Sequence, residues 1–229
     1  MDDTVSVLPM AVPLTRAGLA NDRRASPAAM LHASNLLTYG SLLCGLAAVT
    51  AALWYRSAAV AGMAIALAVV ADTLDGRWAR RFRRSSSERE FGAQLDSLVD
   101  AISSGLVPVA VTMALLQPRS GWNGVLLFGS AFVYVLSVVT RLGFYNLAHA
   151  PSEAEEHTAF VGLPAPAAAM CVATMLIWPL STIATAAVLV CSGLAMIGGF
   201  RIPRPRGKLL AVFLAWPVVV WAAHALSLL

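Results

Sequence analysis

The chain has 229 residues and a net charge of +4, and 59% of its residues are hydrophobic while only 12% are charged. A soluble domain of this size would carry roughly twice that charged fraction, so the composition excludes an ordinary soluble domain and indicates one membrane domain. The basic runs are short and adjoin apolar segments, which favours contact with a membrane surface over nucleic-acid binding.

The first 30 residues are mixed in character and precede the apolar part of the chain. Pro9, Pro13 and Pro27 interrupt them, and the apolar stretch 5–14 is too short to cross a bilayer. We expect residues 1–30 to form a tail or a helix lying on the membrane, followed by one membrane domain over residues 31–229.

Seven apolar segments follow, each close to the ~20 residues that a helix needs to cross a bilayer. They cover residues 36–55, 57–75, 94–116, 122–140, 160–180, 182–199 and 208–228. The sixth is short and the seventh is compatible with a partial or peripheral helix, so six spans is an alternative count. The predicted fold is therefore an all-α, polytopic transmembrane helical bundle of six to seven spans.

Basic residues predict the orientation of this bundle, because cytoplasmic loops are enriched in Lys and Arg. With the N-terminus inside, Arg56 and Arg119 alone among the 16 Lys and Arg residues fall in outer loops. Trp54, Tyr55 and Trp122 then lie near outer span ends, as an aromatic belt would. We expect a multi-pass protein of the cytoplasmic membrane whose N-terminus is cytoplasmic.

Four of the 12 acidic residues lie within or at the ends of the predicted spans, where an ionisable side chain is costly and indicates function. Asp72 and Asp75 are three residues apart at the end of the second span. Asp96 and Asp100 are four apart at the start of the third. On helices each pair shares one face. Because a short inner loop joins these spans, we expect all four carboxylates to meet near the cytoplasmic surface.

Four carboxylates at close range repel one another, so either some are protonated or cations lie among them. All-oxygen ligands suit hard divalent cations, and two such ions can serve a displacement at phosphorus. The alternative is that arginines of the loop 77–89 neutralise the aspartates as plain ion pairs, which would not require this spacing. Nearby, Gly76, Ala79 and Gly92 would either admit a ligand to the backbone or pack helices closely.

The same residues carry a family resemblance. Asp72-Thr-Leu-Asp75-Gly76-Arg-Trp-Ala79-Arg80, then Gly92-Ala-Gln-Leu-Asp96-Ser-Leu-Val-Asp100, resembles the CDP-alcohol phosphatidyltransferase signature D-x2-D-G-x2-A-R…G-x3-D-x3-D. The gap from Arg80 to Gly92 is longer than the family pattern usually has, and the excess at residues 83–87 is interpreted as a loop insertion. Further segments resemble the membrane-embedded phosphatidylserine synthases, namely 34–38, 91–98, 141–146, 162–169 and 200–203.

The resemblance implies an enzyme that transfers the phosphatidyl group of CDP-diacylglycerol to a small alcohol, with L-serine as the favoured acceptor and release of CMP. It implies two divalent cations, Mg²⁺ or Mn²⁺, held by Asp72, Asp75, Asp96 and Asp100. Asp100 is also the implied catalytic base. The residues implied in nucleotide binding are Asp72, Gly76, Ala79, Arg80 and Gly92. The candidates for binding the acceptor or the lipid phosphate are Arg141, Asn146 and Arg201, with Arg204 a weaker one.

One departure bears on the acceptor. Phe144 stands where the resembling segment has a second arginine three residues after Arg141. Inositol phosphate, glycerol phosphate and choline therefore remain alternative acceptors. The expected partners are CDP-diacylglycerol, the alcohol and membrane lipid, without nucleic acid, and a homodimer is left open.

An ion-coupled transporter is the alternative from a different functional class. Transporters usually place acids near the membrane midplane, on several spans and within repeated halves. Here the acids crowd the cytoplasmic ends of two neighbouring spans and no internal repeat is visible, which favours an enzyme with its active site facing the cytoplasm.

Overall fold

The computed structural model describes residues 27–117, 121–148, 159–203 and 207–228. Most of the expected N-terminal tail or surface helix therefore lies outside the described residues, as does Arg204. Two 3-10 turns, Pro27–Met30 and Ala33–Asn35, lead into the first long helix.

Helices make up most of the described chain, and we number them in chain order. The α-helices are α1 (Leu36–Trp54), α2 (Ala58–Ala79), α3 (Ser86–Asp100), α4 (Val107–Leu116), α5 (Trp122–Ala148), α6 (Ala165–Met175), α7 (Thr182–Ile197) and α8 (Lys208–Leu226). A π-helical segment, Ala101–Leu106, joins α3 to α4. Two short strands, β1 (Ala159–Val161) and β2 (Arg201–Pro203), pair antiparallel. The all-α, multi-pass architecture is as predicted, and the small sheet is an element that the prediction did not contain.

Each predicted apolar segment contains a helix, but the helices differ in length. Within the described residues, five helical stretches are long and apolar enough to cross a membrane: Ala33–Trp54, Ala58–Ala79, Ser86–Leu116, Trp122–Leu147 and Leu209–Leu226. Helices α6 and α7 are apolar but shorter. A count of six or seven complete spans stays a prediction.

The helices that carry the aspartates are longer than expected. Helix α2 continues to Ala79, and α3 begins at Ser86 rather than near residue 94. The early start has a local cause, because Ser85 and Glu88 form a capping box that satisfies the first free N–H groups of α3. The proposed insertion at residues 83–87 is thus only partly a loop, since Ser86 and Ser87 are helical.

The small sheet ties together the chain before α6 and the chain after α7. Gly162 follows β1 with a left-handed φ of +71°, and its N–H donates to the Phe200 carbonyl at 2.8 Å. A Cβ at Gly162 would overlap the Met196 carbonyl, so only glycine fits this close approach. The prediction that a membrane span begins at residue 160 is wrong, because the helix starts only after Pro164.

Small residues let α1 and α2 pack closely. Ala48 and Ala52 of α1 and Ala61 of α2 are completely buried in one apolar cluster, as is common where helices meet in a membrane. In the turn between α1 and α2, Arg56 donates hydrogen bonds to the carbonyls of Ala114 and, at 2.9 Å, Leu115 at the end of α4. This contact puts the α1–α2 turn and the end of α4 on the same side of the bundle. Spans that cross the membrane in alternating directions would place them there.

The last helix is anchored in the bundle rather than peripheral. The His224 side chain is 0% exposed, and its Nε2 donates to the Ala173 carbonyl of α6 at 2.9 Å. Its ring fills the space beside Gly62 of α2, where any Cβ would collide with it. The seventh segment therefore packs against the bundle as a helix of 19 residues, and whether it spans the membrane completely stays a prediction.

Candidate active site

The intramembrane aspartates converge, as their spacing predicts. Asp72 and Asp75 lie in the last two turns of α2, and Asp96 and Asp100 lie in the last turns of α3. One carboxylate oxygen from each of Asp72, Asp96 and Asp100 lies within 4.8 Å of the other two. Asp72 and Asp100 face each other at hydrogen-bonding range. The group could hold a metal ion, because its ligands are all carboxylate oxygens.

Asp75 borders this group without belonging to the tight set of three. Its Oδ2 accepts a hydrogen bond of 3.1 Å from Thr38 Oγ1 on α1, and its carboxylate faces Asp96. Arg141 of α5 interacts electrostatically with Asp100, whereas among the described residues no arginine of the loop 77–89 forms an ion pair with the four carboxylates. The structure therefore supports a ligand-binding cluster over the alternative of plain ion pairs with the 77–89 loop.

The helix that carries Asp100 changes its winding directly after that residue. Residues 101–106 are π-helical, a geometry that recurs at functional sites. The buried Tyr134 hydroxyl of α5 donates to the Ser104 carbonyl at 2.8 Å, which gives the segment a hydrogen-bond partner from another helix. Gly105 lies against Val138, and a Cβ there would be tightly packed at 3.2 Å. These contacts fix the helix that presents Asp100.

A small polar cavity of about 160 Å³ opens on one side of the aspartates. Gly76, Ala79 and Gly92 lie in its wall, and the residues that also line it include Asn35, Thr38, Asp75, Arg84, Arg89 and Asp96. A Cβ built on Gly76 meets no described heavy atom within 4 Å. Helix packing among the described residues therefore does not explain this glycine, and its role in admitting a ligand stays a prediction. At Gly92 a Cβ would lie 3.2 Å from Arg84 Nη1 and Asn35 Oδ1, so the cavity is tighter there.

A larger cavity of about 1050 Å³ opens on the other side. The polar residues in its wall include all four aspartates together with Arg77, Arg80 and Arg141. Its apolar residues come mainly from the start of α6, the small sheet and α8. The two cavities share Asp75, Gly76 and Asp96. The predicted nucleotide residues thus divide between them, with Asp72 and Arg80 facing the larger space.

Arg141 is the acceptor candidate that the structure places in the cavity wall. Its side chain is only 9% exposed, and its guanidinium lies 4.5 Å from the centroid of the Tyr145 ring and 5.8 Å from that of Phe160. Such stacking orients the planar group. The buried Nε of Arg141 has no hydrogen-bond partner among the described residues. Because the Arg141 side chain lines the larger cavity, its guanidinium is suited to an anionic group of a substrate.

The other two acceptor candidates are not brought to the cavity. Asn146 is exposed, and its Oδ1 accepts a hydrogen bond of 2.8 Å from Ser97 Oγ. Arg201 is exposed on β2 and pairs with Val161 of β1. Neither is among the described residues that line either cavity. Phe144 is 56% exposed and likewise does not line them.

Some lining residues escaped prediction from sequence. Thr38, Arg84 and Arg89 reach the small cavity only through the packing of α1 and α3, although Thr38 lies in a segment singled out by the resemblance. Phe160 and Trp216 line the larger cavity from segments that are distant in sequence. No local pattern marks them, because their positions depend on how β1 and α8 pack.

A sequence model of the family described as CDP-alcohol phosphatidyltransferase matches residues 31–199, which include every aspartate of the site. The chain belongs to the CDP-alcohol phosphatidyltransferase family. The segment that matches the family model covers α1 to α7 and ends before β2 and α8.

Several curated relatives of this chain are named CDP-diacylglycerol–serine O-phosphatidyltransferase. The Mycobacterium tuberculosis (strain ATCC 25618 / H37Rv) protein is 36% identical over 138 residues, covering 58% of this chain and 45% of the relative. The Mycobacterium leprae protein is 35% identical over 144 residues, covering 61% and 45%. The Bacillus subtilis protein is 28% identical over 136 residues, covering 59% and 70%. The matched segment thus spans less than half the length of the mycobacterial relatives.

Proposed function

We propose that this protein transfers the phosphatidyl group of CDP-diacylglycerol to L-serine, giving phosphatidylserine and CMP, at the cytoplasmic face of the cytoplasmic membrane. The observation that carries the proposal is a single cavity with Asp72, Asp96 and Asp100 in its polar wall and apolar side chains elsewhere. Such a cavity suits a donor that combines a charged diphosphate with a lipid. Family membership and the names of the relatives support the same chemistry.

The aspartate cluster fits divalent cations, because its closely spaced ligands are all oxygens of the kind that Mg²⁺ and Mn²⁺ prefer. We propose that Asp72, Asp96 and Asp100, with Asp75 beside them, hold two such ions. When bound, the ions would supply positive charge to the diphosphate and to the departing CMP. The protein's part is to keep the four carboxylates on two packed helices.

Asp100 is the proposed general base. It lines the larger cavity near Arg141, so an alcohol bound beside Arg141 lies within reach of its carboxylate. Asp100 would take the proton of the acceptor hydroxyl as that oxygen forms a bond to the phosphorus that carries the lipid. The bond from this phosphorus to the oxygen of CMP breaks, and CMP leaves with its electron pair.

The small cavity is the proposed place for the nucleotide. Gly76, Ala79 and Gly92 leave room beside α2 and α3, and Asn35 offers an amide that can hydrogen-bond a base. The diphosphate would then lie where the two cavities share their wall, with Arg80 on the side of the larger cavity. This arrangement uses Gly76, Ala79, Arg80 and Gly92 of the residues predicted for nucleotide binding, while Asp72 lines the larger cavity.

Serine is the proposed acceptor because Arg141 provides an oriented cation in the cavity wall for the serine carboxylate. A charge-assisted hydrogen bond of this type contributes about 1.5–3 kcal/mol. Because Phe144 stands where the resembling segment has a second arginine, Arg141 would bind the serine carboxylate without the help of that arginine. Asn146 and Arg201 stay secondary candidates, since they lie outside the described cavity walls.

The acceptor is tested with purified protein, labelled CDP-diacylglycerol and Mg²⁺. Serine, inositol phosphate, glycerol phosphate and choline are supplied separately under identical conditions, and the lipid products are separated by chromatography. We expect phosphatidylserine and an equal amount of CMP with serine. Efficient transfer to another alcohol with none to serine would overturn the acceptor assignment, and no CMP with any alcohol would overturn the proposed activity.

A further inference from the structure

Tyr145 lies one helical turn after Arg141 on α5 and contacts its side chain in two ways. The Arg141 guanidinium lies over the Tyr145 ring, with 4.5 Å between the guanidinium carbon and the ring centroid. The Tyr145 hydroxyl is also a hydrogen-bond partner of the Arg141 side chain. Residues four apart on a helix share one face, so the fold of α5 itself brings the two side chains together.

The same hydroxyl holds β1 against α5. It accepts a hydrogen bond of 2.6 Å from the Val161 N–H and donates one of 3.2 Å to the Val161 carbonyl. A phenolic hydroxyl has one proton to donate and can also accept hydrogen bonds, so it can serve Val161 and Arg141 together. Tyr145 therefore connects the cation of α5 to the backbone of a strand.

The strand gives this contact a firm support. β1 pairs with β2, and directly after β1 the Gly162 N–H donates to the Phe200 carbonyl at 2.8 Å. The next residue, Leu163, donates its N–H to the Ala195 carbonyl of α7 at 2.9 Å. The backbone that holds the Tyr145 hydroxyl is thus itself bonded to α7 and to the chain that follows α7.

A carboxylate competes with Tyr145 for the cation. Asp100 of α3 interacts electrostatically with Arg141, and opposite charges attract strongly where the dielectric constant is low. A direct ion pair would occupy both the guanidinium and the proposed base. In the structure the cation lies over the Tyr145 ring, and the Phe160 ring of β1 lies on it as well, with its centroid at 5.8 Å.

We propose that Tyr145 is a positioning residue, which holds the Arg141 guanidinium in the cavity wall for the carboxylate of serine and away from Asp100. The inference rests on the proposed function, because it concerns the acceptor site of the same reaction. Arg141 and Phe160 line the larger cavity, whereas Tyr145 is not among the described residues that do. Tyr145 therefore acts on the acceptor through Arg141.

The first test is Tyr145→Phe, which removes the hydroxyl and keeps the ring. Rates of phosphatidylserine formation are measured with Mg²⁺ while serine and CDP-diacylglycerol are varied in turn. We expect the KM for serine to rise about tenfold, because the cation loses one hydrogen bond that orients it. The value of kcat and the KM for the donor should change by less than about twofold.

Tyr55→Phe is the matched control. It removes the hydroxyl of a tyrosine that is 74% exposed beside the α1–α2 turn and is not among the described residues lining either cavity. All three constants should stay unchanged in this variant, so a change confined to Tyr145→Phe reports the contact with Arg141.

The second test asks whether Tyr145 acts through Arg141. Arg141→Lys keeps a cation but lacks the planar group that stacks on the tyrosine ring. In that background, Tyr145→Phe should raise the KM for serine by less than about twofold, because the two changes disturb the same contact. Equilibrium binding of labelled serine provides the same comparison for a variant that does not turn over.

An unchanged KM for serine in Tyr145→Phe, or an equal rise with Arg141 and with Arg141→Lys, would overturn the positioning role while leaving the transferase proposal intact. A lower Tm and a lower kcat with the KM for serine unchanged would show that Tyr145 only ties β1 to α5. Failure of the unaltered protein to form phosphatidylserine would instead overturn the proposed acceptor, and this inference with it.

Discussion

At the scale of single residues, the carboxylates of Asp72, Asp96 and Asp100 dominate the chemistry of the molecule. Their oxygens lie within 4.8 Å of one another in a cavity wall inside a membrane domain. Such a cluster is unfavourable without compensating positive charge, because like charges repel strongly where the dielectric constant is low. Binding of cations and an ionic substrate gives a physical reason for keeping these acids together.

Asp100→Asn tests the proposed base. The amide keeps the size of the side chain but cannot accept a proton at neutral pH, so turnover should fall by at least ~10²-fold while donor binding is largely retained. Single-turnover CMP release and equilibrium binding of the donor measure the two effects separately. Glu90→Gln, an exposed acid of the same helix, should retain full turnover. Near-native turnover by Asp100→Asn would remove Asp100 from this role.

The site residues that could be predicted best from the sequence are those whose arrangement follows from their spacing along a single helix. The spacing of Asp72 with Asp75 and of Asp96 with Asp100 places each pair on one helical face, and short connections bring the two faces together. Arg141 was found through resemblance and does line the cavity. Thr38 was not assigned to the site, because its contact with Asp75 depends on the packing of α1 against α2.

At the scale of elements, the start of α3 and the π-helical segment after it determine the orientation of the site residues. The capping box of Ser85 and Glu88 could have been recognised in the sequence as a serine followed three residues later by glutamate. The π-helical segment after Asp100 and the β1–β2 pair could not, because both depend on partners far away in the chain. The contact of Tyr134 with Ser104 is one such partner.

The anchoring of α8 gives a prediction at this scale. Gly62→Ala places a Cβ where the buried His224 ring lies, so helix α8 must shift or the ring must move. We expect a loss of about 1–3 kcal/mol in stability, measured as a lower Tm in detergent. Gly129→Ala is the matched control, since a Cβ there meets no described heavy atom within 4 Å.

The double variant Gly62→Ala with His224→Ala isolates the contact. If the ring and the new methyl group clash, the two changes should be strongly non-additive, with the double variant more stable than the sum predicts. Equal Tm values for Gly62→Ala and Gly129→Ala would contradict the packing of His224 against α2.

At the scale of the whole molecule, the distribution of arginines predicts which side of the membrane the aspartates face. Arg83 is exposed in the short connection that follows Asp72 and Asp75 of α2 and precedes the start of α3. Asn123 is exposed at the start of α5, beyond the opposite end of α4. The two positions therefore report opposite sides of the bundle.

Cysteine labelling measures this orientation. In a background without Cys44, Cys171 and Cys191, a cysteine introduced by Arg83→Cys should be shielded from an impermeant thiol reagent in intact cells, whereas Asn123→Cys should react. Permeabilised cells should show labelling at both positions. Labelling of Arg83→Cys alone in intact cells would reverse the predicted orientation of the active site.

The whole account depends on the aspartate cluster acting as a cation-dependent site for phosphatidyl transfer. The most direct measurement is CMP release from labelled CDP-diacylglycerol with serine, titrated with Mg²⁺ or Mn²⁺ after treatment with a chelator. We predict no release in excess chelator, recovery on adding either ion, and a higher ion requirement together with a lower rate for Asp72→Ala, Asp75→Ala and Asp96→Ala. Full activity in excess chelator, or an unchanged ion requirement in these variants, would contradict the account.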